Sequence, residues 1–302
     1  MNIFYNCDEA RNRLKGYLCD QRVDSTETYH IQQMIQMDTA KMKVLRQTNN
    51  NLRSPRLVME KGDGTYGEVC VRLPGILCRK VLPPVRRNIS NTQPHVVRSM
   101  KQSVKLTGLG LGEYARFQEV INMVHTMFED TLGKGTVQSV DCKPYEGHLS
   151  FDVGTRYFTD RDDAPTQEHV PFSRDDDPIF ILELLRKDKF IHTEDNVVQY
   201  CSKVIMDGSE PSYMSAKSEI FQEGDIVEGH VAFACWPVGK DRYQLTLMLR
   251  ALASLDTELR KGAWATAKSV RPEKSGAERK RGGKPENNIS VKRHRIVYDM
   301  EE

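Results

Sequence analysis

The chain has 302 residues, 38% of them hydrophobic and 28% charged, which is the composition of a globular protein and too polar on average for a bilayer. Its formal net charge of +2 conceals a segregation: positions 260–295 hold twelve Lys or Arg against three Glu, a net of +9, while the other 266 residues carry 32 basic and 39 acidic groups, a net of −7. No run approaches the roughly eighteen apolar residues of a spanning helix, and a chain of this length buries enough surface to fold without disulfide or zinc staples.

The opening segment reads as a helical arm. From Ile31 the apolar positions Met34, Ile35, Met42 and Leu45 leave a stripe at helical spacing, and its Met content makes it a candidate docking face for a protein partner. Asn49, Asn50, Asn51, Ser54 and Pro55 should end it. Leu57 to Met59, the glycines 62, 64 and 67, and the alternation of Val69, Val71 and Leu73 predict a hairpin. After Pro83 and Pro84 the stretch Arg86 to Lys105 is polar, basic and weakly periodic, which reads as a linker or long exposed loop.

Tyr114, Phe117, Val120, Ile121, Val124, Phe128 and Leu132 recur three or four apart until Gly133 and Gly135 stop them, predicting a long helix packed across a sheet. That sheet is expected to take in Val137 and Val140, and Leu149, Phe151 and Val153. The Asp-rich run from 160 to 177 reads as a loop, with Asp177 and Pro178 opening a short helix over 179–185. Phe190 to Thr193 and Val197 to Val204 read as two strands joined across Glu194, Asp195 and Asn196. Ile226 to Trp236 and the partner strand from Tyr243 to Ala251 form the strongest hairpin signal, apolar on both faces in part and therefore central. From Arg271 the composition cannot offset the entropy of ordering, so the tail is expected to be disordered.

The predicted organisation is therefore α+β. A mixed or mostly antiparallel sheet, or partly open barrel, is covered by one long helix. The segments are a helical arm over 1–52, a hairpin and linker over 53–107, a core domain over 108–270 and a basic, disordered tail over 271–302.

Four patterns are candidates for chemistry. Gly62-Asp-Gly-Thr-Tyr-Gly67-Glu-Val69 matches the glycine-rich loop that covers ATP phosphates in protein kinases, but no lysine strand, catalytic loop or Asp-Phe-Gly follows, and a plain hairpin turn explains it. Gly108, Gly110 and Gly112 before the long helix are a second anion candidate, against a simple helix-entry turn. His192 and Glu194, two apart in an extended segment, with His230 on a later strand, outline a two-histidine, one-carboxylate metal site. His148 with Asp152, and the Asp175 to Asp177 run, are chance-level metal candidates of the same kind. No hydrolase elbow or zinc-protease helix occurs, and no cofactor is expected.

The tail carries two tight basic clusters, Arg279-Lys280-Arg281 and Lys292-Arg293-His294-Arg295, which point to phosphate binding or nuclear targeting by charge density. Seven Cys at wide spacing and no leader-like start predict a reducing compartment, the nucleus or otherwise the cytoplasm.

The segments Ile191-His-Thr-Glu-Asp-Asn-Val-Val-Gln-Tyr200, Gly224-Asp-Ile-Val-Glu-Gly-His-Val-Ala-Phe233 and Leu247-Met-Leu-Arg-Ala-Leu-Ala-Ser-Leu-Asp256 resemble a group of uncharacterised proteins abundant in mushroom-forming fungi. The resemblance spans 178–256; it implies a fungal origin and carries no catalytic residue. The sequence thus favours a non-enzymatic binding protein that meets DNA or RNA through Arg279, Lys280, Arg281, Lys292, Arg293 and Arg295. The alternatives are an oxygenase-like metal enzyme built on His192, Glu194 and His230, and a protein-interaction scaffold.

Overall fold

A computed structural model describes residues 3–19, 28–37, 39–46, 54–86, 93–204 and 212–270. Among them are six α-helices: α1 (Cys7–Cys19), α2 (Ile31–Gln36), α3 (Pro94–Ser99), α4 (Gly112–Leu132), α5 (Ile181–Arg186) and α6 (Glu258–Val270). The first strands are β1 (Tyr29–His30), β2 (Met42–Leu45), β3 (Arg56–Glu60), β4 (Tyr66–Glu68), β5 (Cys70–Val81) and β6 (Lys101–Thr107). Then follow β7 (Val137–Gln138), β8 (Ser150–Arg156), β9 (Thr159–Asp160), β10 (Phe190–Ile191), β11 (Gln199–Val204), β12 (Ser212–Ser215), β13 (Ile226–Gly239) and β14 (Arg242–Asp256).

One large sheet runs in the order β12-β11-β14-β13-β5-β6-β8, mostly antiparallel, with β9 and β10 forming a separate pair. It is curled but not closed. β8 returns to the neighbourhood of β14, where the Thr155 hydroxyl donates to the Leu249 carbonyl at 2.7 Å instead of a strand ladder. The β13–β14 hairpin is central, as its two apolar faces predict: β13 pairs with β14 along its length and with β5 from Ile226 to Ala232.

The inner face carries the main core. Val71, Val104, Phe151, Val231 and Leu249 are fully or almost fully buried there. Helix α4 covers it with the stripe Tyr114, Phe117, Val120, Ile121, Val124 and Phe128, as its spacing predicts. Phe117 meets Phe151 edge-on at 5.2 Å and Phe233 at 6.3 Å, so the helix is keyed to both halves of the sheet. Two glycines let Tyr114 in. A Cβ at Gly75 would overlap the Tyr114 hydroxyl and one at Gly108 its ring, while that hydroxyl donates to the Pro74 carbonyl at 3.0 Å.

The structure corrects the reading of several segments. The stripe from Ile31 to Leu45 is not one helix: α2 stops at Gln36, and Met42 to Leu45 pair with β3 as a strand. The basic stretch Arg86 to Lys105 is not only a linker, since it contains α3 and most of β6, a strand paired on both sides. The segments at 190 and 197 are not a hairpin either; β10 pairs with β9, and β11 with β12 and β14. The proposed arm, hairpin and core also share a single hydrophobic cluster that runs from Tyr5 and Leu14 through Val71 to Leu249 and Ala263, because β5 is laid against β13. The Asn49 to Asn51 stop and the 271–302 tail lie outside the described residues.

The Tyr114 socket gives a direct test of the packing. Gly75→Ala should destabilise the protein by about 1–3 kcal/mol through overpacking, and Tyr114→Phe by about 1 kcal/mol through the loss of its bond to Pro74. Combined, they should cost less than the sum, because the phenylalanine lacks the oxygen that the new methyl meets. Urea unfolding of the four proteins measures the coupling; strict additivity would contradict the socket.

Candidate functional site

Each sequence candidate within the described residues has a definite place. His192 is buried; its Nδ1 lies 2.8 Å from the Tyr157 carbonyl, and Phe172 packs on its ring at 4.1 Å. Burial lowers its pKa from the ordinary value, against the opposing effect of the Tyr157 carbonyl. Glu194 and His230 instead line a different concavity, and His230 Nε2 is 3.2 Å from the Glu228 carboxylate on its own strand. The proposed triad is therefore corrected: one histidine turns into a satisfied core position while the other two side chains face a separate cleft. Among the described residues no group of three His, Cys, Asp or Glu side chains is arranged to hold a metal.

The cleft that takes Glu194 and His230 measures 810 Å³ and also borders the glycine loop. That loop is a closed turn. Lys61 N–H donates to the Thr65 carbonyl at 2.7 Å, Gly64 N–H to the Lys61 carbonyl at 3.0 Å, and both Thr65 donors go to Asp63. The remaining lining sets Glu60, Glu68, Glu194 and Asp195 against Lys61 and Arg250, which leaves it acidic on balance. At the second glycine cluster, Gly108 packs on Tyr114 and its carbonyl accepts from the Leu111 N–H, so this is a helix-entry turn. Asp152 is taken by Lys105 at 2.6 Å, and Asp175 by Lys217 at 2.7 Å. Asp176 bonds Ser173; Asp177 accepts from the Glu183 N–H at 2.9 Å but is not the cap expected of it, since α5 begins at Ile181 after Phe180 and Pro178 lies in the preceding turn. The six basic tail residues from Arg279 to Arg295 lie outside the described residues.

Two features that the sequence did not single out dominate the outer face of the sheet. The first is a buried ion cluster. The Arg250 guanidinium grips both oxygens of Glu68 at 2.7 Å and the Asp195 side chain at 2.7 Å, and Arg56, only 2% exposed, reaches Asp195 at 2.6 Å. Burial alone would raise the Asp195 pKa, but Arg56 and Arg250 outweigh it and hold the carboxyl below its ordinary value. This cluster pins the β3–β4 hairpin and the 194–196 turn over β13 and β14. The four residues are scattered between positions 56 and 250, so no local motif announces them.

The second is a basic groove of 410 Å³ on the part of the sheet that the hairpin leaves bare. On β6 the residues Gln102, Val104 and Leu106 are buried, so Lys101, Ser103 and Lys105 point outward. The register then places Arg79, Lys105 and Asp152 in one row, Val81, Ser103 and Gly154 in the next, and Lys101 beside Arg156 in the third. Lys143 joins from the loop before β8 and pairs with Asp141 at 3.2 Å. Arg79 and Lys101 have no hydrogen-bond or ion-pair partner among the described residues. A sheet face with these two cations, a polar floor and a paired Lys105 can bind a polyanion laid across the strands. Their alternation with apolar residues was the available signal, hidden by the polar Gln102, which is satisfied by the Tyr200 hydroxyl at 2.7 Å and the Asn196 carbonyl at 2.9 Å.

No family model and no curated protein matches the chain. Among solved structures, it is similar to the single-stranded DNA-binding protein from bacteriophage Enc34 in complex with ssDNA, at 10% identity and a TM-score of 0.32, over 72% of this chain and 96% of that one. It is also similar to gp2.5, a single-stranded DNA binding protein encoded by bacteriophage T7, at 12% identity and a TM-score of 0.31, over 61% and 86% respectively. Likeness of that degree assigns nothing to this chain.

The ion cluster predicts an acid limit on stability. The Asp195 pKa is lower folded than unfolded, so its contribution is present above the unfolded value and is lost as pH falls through the folded one. Asp195→Asn should cost about 3 kcal/mol at neutral pH by removing the nearer carboxylate of buried Arg56 and leaving it only Glu68 at 4.0 Å, and should flatten the acid limb of stability against pH. Urea midpoints from neutral pH to about pH 3, below the ordinary aspartate value, measure both; an unchanged acid limb would refute the role of Asp195.

Proposed function

We propose that the protein is a non-enzymatic binder of single-stranded nucleic acid, with the strand laid across the outer face of β5, β6 and β8. The observation that carries this reading is the 410 Å³ groove, in which Arg79 and Lys101 stand without partners among the described residues, on a face otherwise backed by a packed core. The strand order supports it. β5, β6, β8, β13 and β14 make a curled, partly open five-stranded arrangement, the architecture in which the second and third strands carry oligonucleotides. Here those strands are β6 and β8, the floor of the groove. A single strand suits the site better than a duplex, because a groove of 410 Å³ has room for one phosphate backbone rather than two.

In this reading the tail clusters Arg279-Lys280-Arg281 and Lys292-Arg293-Arg295 act as a second, sequence-blind source of attraction, each phosphate they meet releasing counterions. The acidic remainder of the body repels the backbone elsewhere, so the groove decides where a strand lies and the tail adds to how tightly it is held.

The test is a salt-dependent titration of the full chain with single-stranded DNA, single-stranded RNA and duplex DNA. Arg79→Ala with Lys101→Ala should weaken single-strand binding and lower the log–log salt slope by about 0.7 for each phosphate that is no longer neutralised. Neutralising the six tail residues should lower the slope further without changing the single-strand over duplex preference. Equal binding by the groove variant and the parent would refute the groove as the track, and absence of binding by the parent near physiological salt would refute the function.

A further inference from the structure

Past β14 the chain turns into α6, and the far half of that helix leaves the body. Its inner stripe Leu259, Ala263, Ala267 and Val270 recurs three or four apart, yet only Ala263 is buried and Val270 is 61% exposed. We propose that the outward face of α6, centred on Trp264, is a base-stacking platform for the single strand that the groove holds by its phosphates. The inference rests on the strand-binding reading above and adds contact with a base to it.

Trp264 is 64% exposed, and neither another ring nor a cation lies on its indole among the described residues. Tryptophan is large and on average well buried, so an indole displayed on a surface helix presents apolar area that nothing in this fold covers. Lys261 and Lys268 stand three residues before it and four after it, which on a helix puts the three side chains on one face. Lys261 is shared with Glu258 at 2.9 Å, whereas Lys268 has no hydrogen-bond or ion-pair partner among the described residues. The sequence then continues with Arg271 and Lys274. The root of the helix lies near the groove: Arg260 in its first turn binds Asp225, and the Asp225 carbonyl accepts from the N–H of Leu77, two residues before Arg79 on β5. The helix is therefore anchored at the end of β5 that carries Arg79.

Charge and flatness select the occupant. An open ring between two cations suits a ligand that combines a flat, unpaired face with an anionic backbone, and a single strand offers both at each nucleotide. A duplex keeps its bases stacked on one another, so it offers this face its phosphates alone. An acidic protein patch would meet the lysines too, but the stripe opens the run of positions 260–295 that carries a net +9, and a run of that length suits a polyanion longer than one patch. Because every base has a π face, the platform reads no sequence; it separates unpaired from paired bases.

The test titrates the full chain with two fluorescently tagged strands of about twelve nucleotides, one of oligo-dT and one abasic, equal in length and charge. Equal phosphates give both strands the same hold in the groove and on the tail, so the ratio of their affinities reads contact with bases. The parent should bind oligo-dT about tenfold more tightly, as expected for one stacked base. Trp264→Ala should bring the two strands to within about twofold of each other by weakening oligo-dT, with the salt slope unchanged, and Trp264→Phe should keep most of the preference. Arg79→Ala with Lys101→Ala should lower the salt slope on both strands and leave the preference for bases in place. Alanine is a good helix former at an exposed position, and circular dichroism checks the fold of each variant. Equal binding of both strands by the parent, a preference that survives Trp264→Ala, or a loss equal on both strands would overturn the platform and leave the groove standing. Failure of the parent to bind either strand would overturn both.

Discussion

The interaction on which the outer half of the molecule depends is the buried junction of Arg56, Glu68, Asp195 and Arg250. It links the first strand of the β3–β4 hairpin, the end of that hairpin, the 194–196 turn and the central strand β14, whereas the backbone ladder between the hairpin and β13 is confined to Arg56 and Ala234. Burying four charges is not in itself a source of stability, since the desolvation of each ion opposes the attraction it gains. What the junction supplies is register. A bidentate Arg250–Glu68 pair and a shared Asp195 have one good geometry, and a hairpin displaced by a single residue would leave a guanidinium unpaired under it.

Fixing the hairpin there also determines what stays open. It pairs beside β13, reaches Arg250 of β14 through Glu68, and stops short of the outward rows of β5, β6 and β8, so Arg79 and Lys101 remain exposed along the groove. The same sheet thus uses two arginines for internal pairing and leaves an arginine and a lysine without partners, among the described residues, a few strands away. The two regions meet at Trp236, which touches Arg56 of the junction and Arg156 at the end of β8.

Much of the scaffold was legible because it is written locally. The α4 stripe from Tyr114 to Phe128 and the long alternation of the β13–β14 hairpin each contain their own period, and both elements fall where the pattern places them. Where the reading failed, a tertiary contact had replaced an expected apolar residue or an element had changed type within one stripe. Gln102 is polar and yet buried against Tyr200, which made β6 look like linker. Met42 fits the spacing of a helix begun at Ile31, but its strand pairing with Met59 decides its conformation. The candidate site was less legible still. His192 and Glu194 are two apart, a spacing that suggests a shared face only in a regular strand, whereas β10 ends at Ile191 and a 3₁₀ turn begins at Glu194. The charges that matter are brought together by sheet order, from positions 56, 68, 195 and 250 in the junction and 79, 101 and 105 in the groove, and no single window contains either set.

The electrostatic division of the chain acquires a geometric meaning from this arrangement. At physiological salt, charges farther apart than about 8 Å are largely screened from one another, so the net −7 of the body and the +9 of positions 260–295 do not cancel as seen by a ligand. A polyanion responds to the nearest charges. Around the large cleft the carboxylates of Glu60, Glu68, Glu194 and Asp195 outnumber Lys61 and Arg250, and along the bare strands Arg79, Lys101, Lys105 and Lys143 outnumber Asp141 and Asp152. The near-neutral total therefore says little about partners, whereas the rows of β5, β6 and β8 define a direction across the sheet.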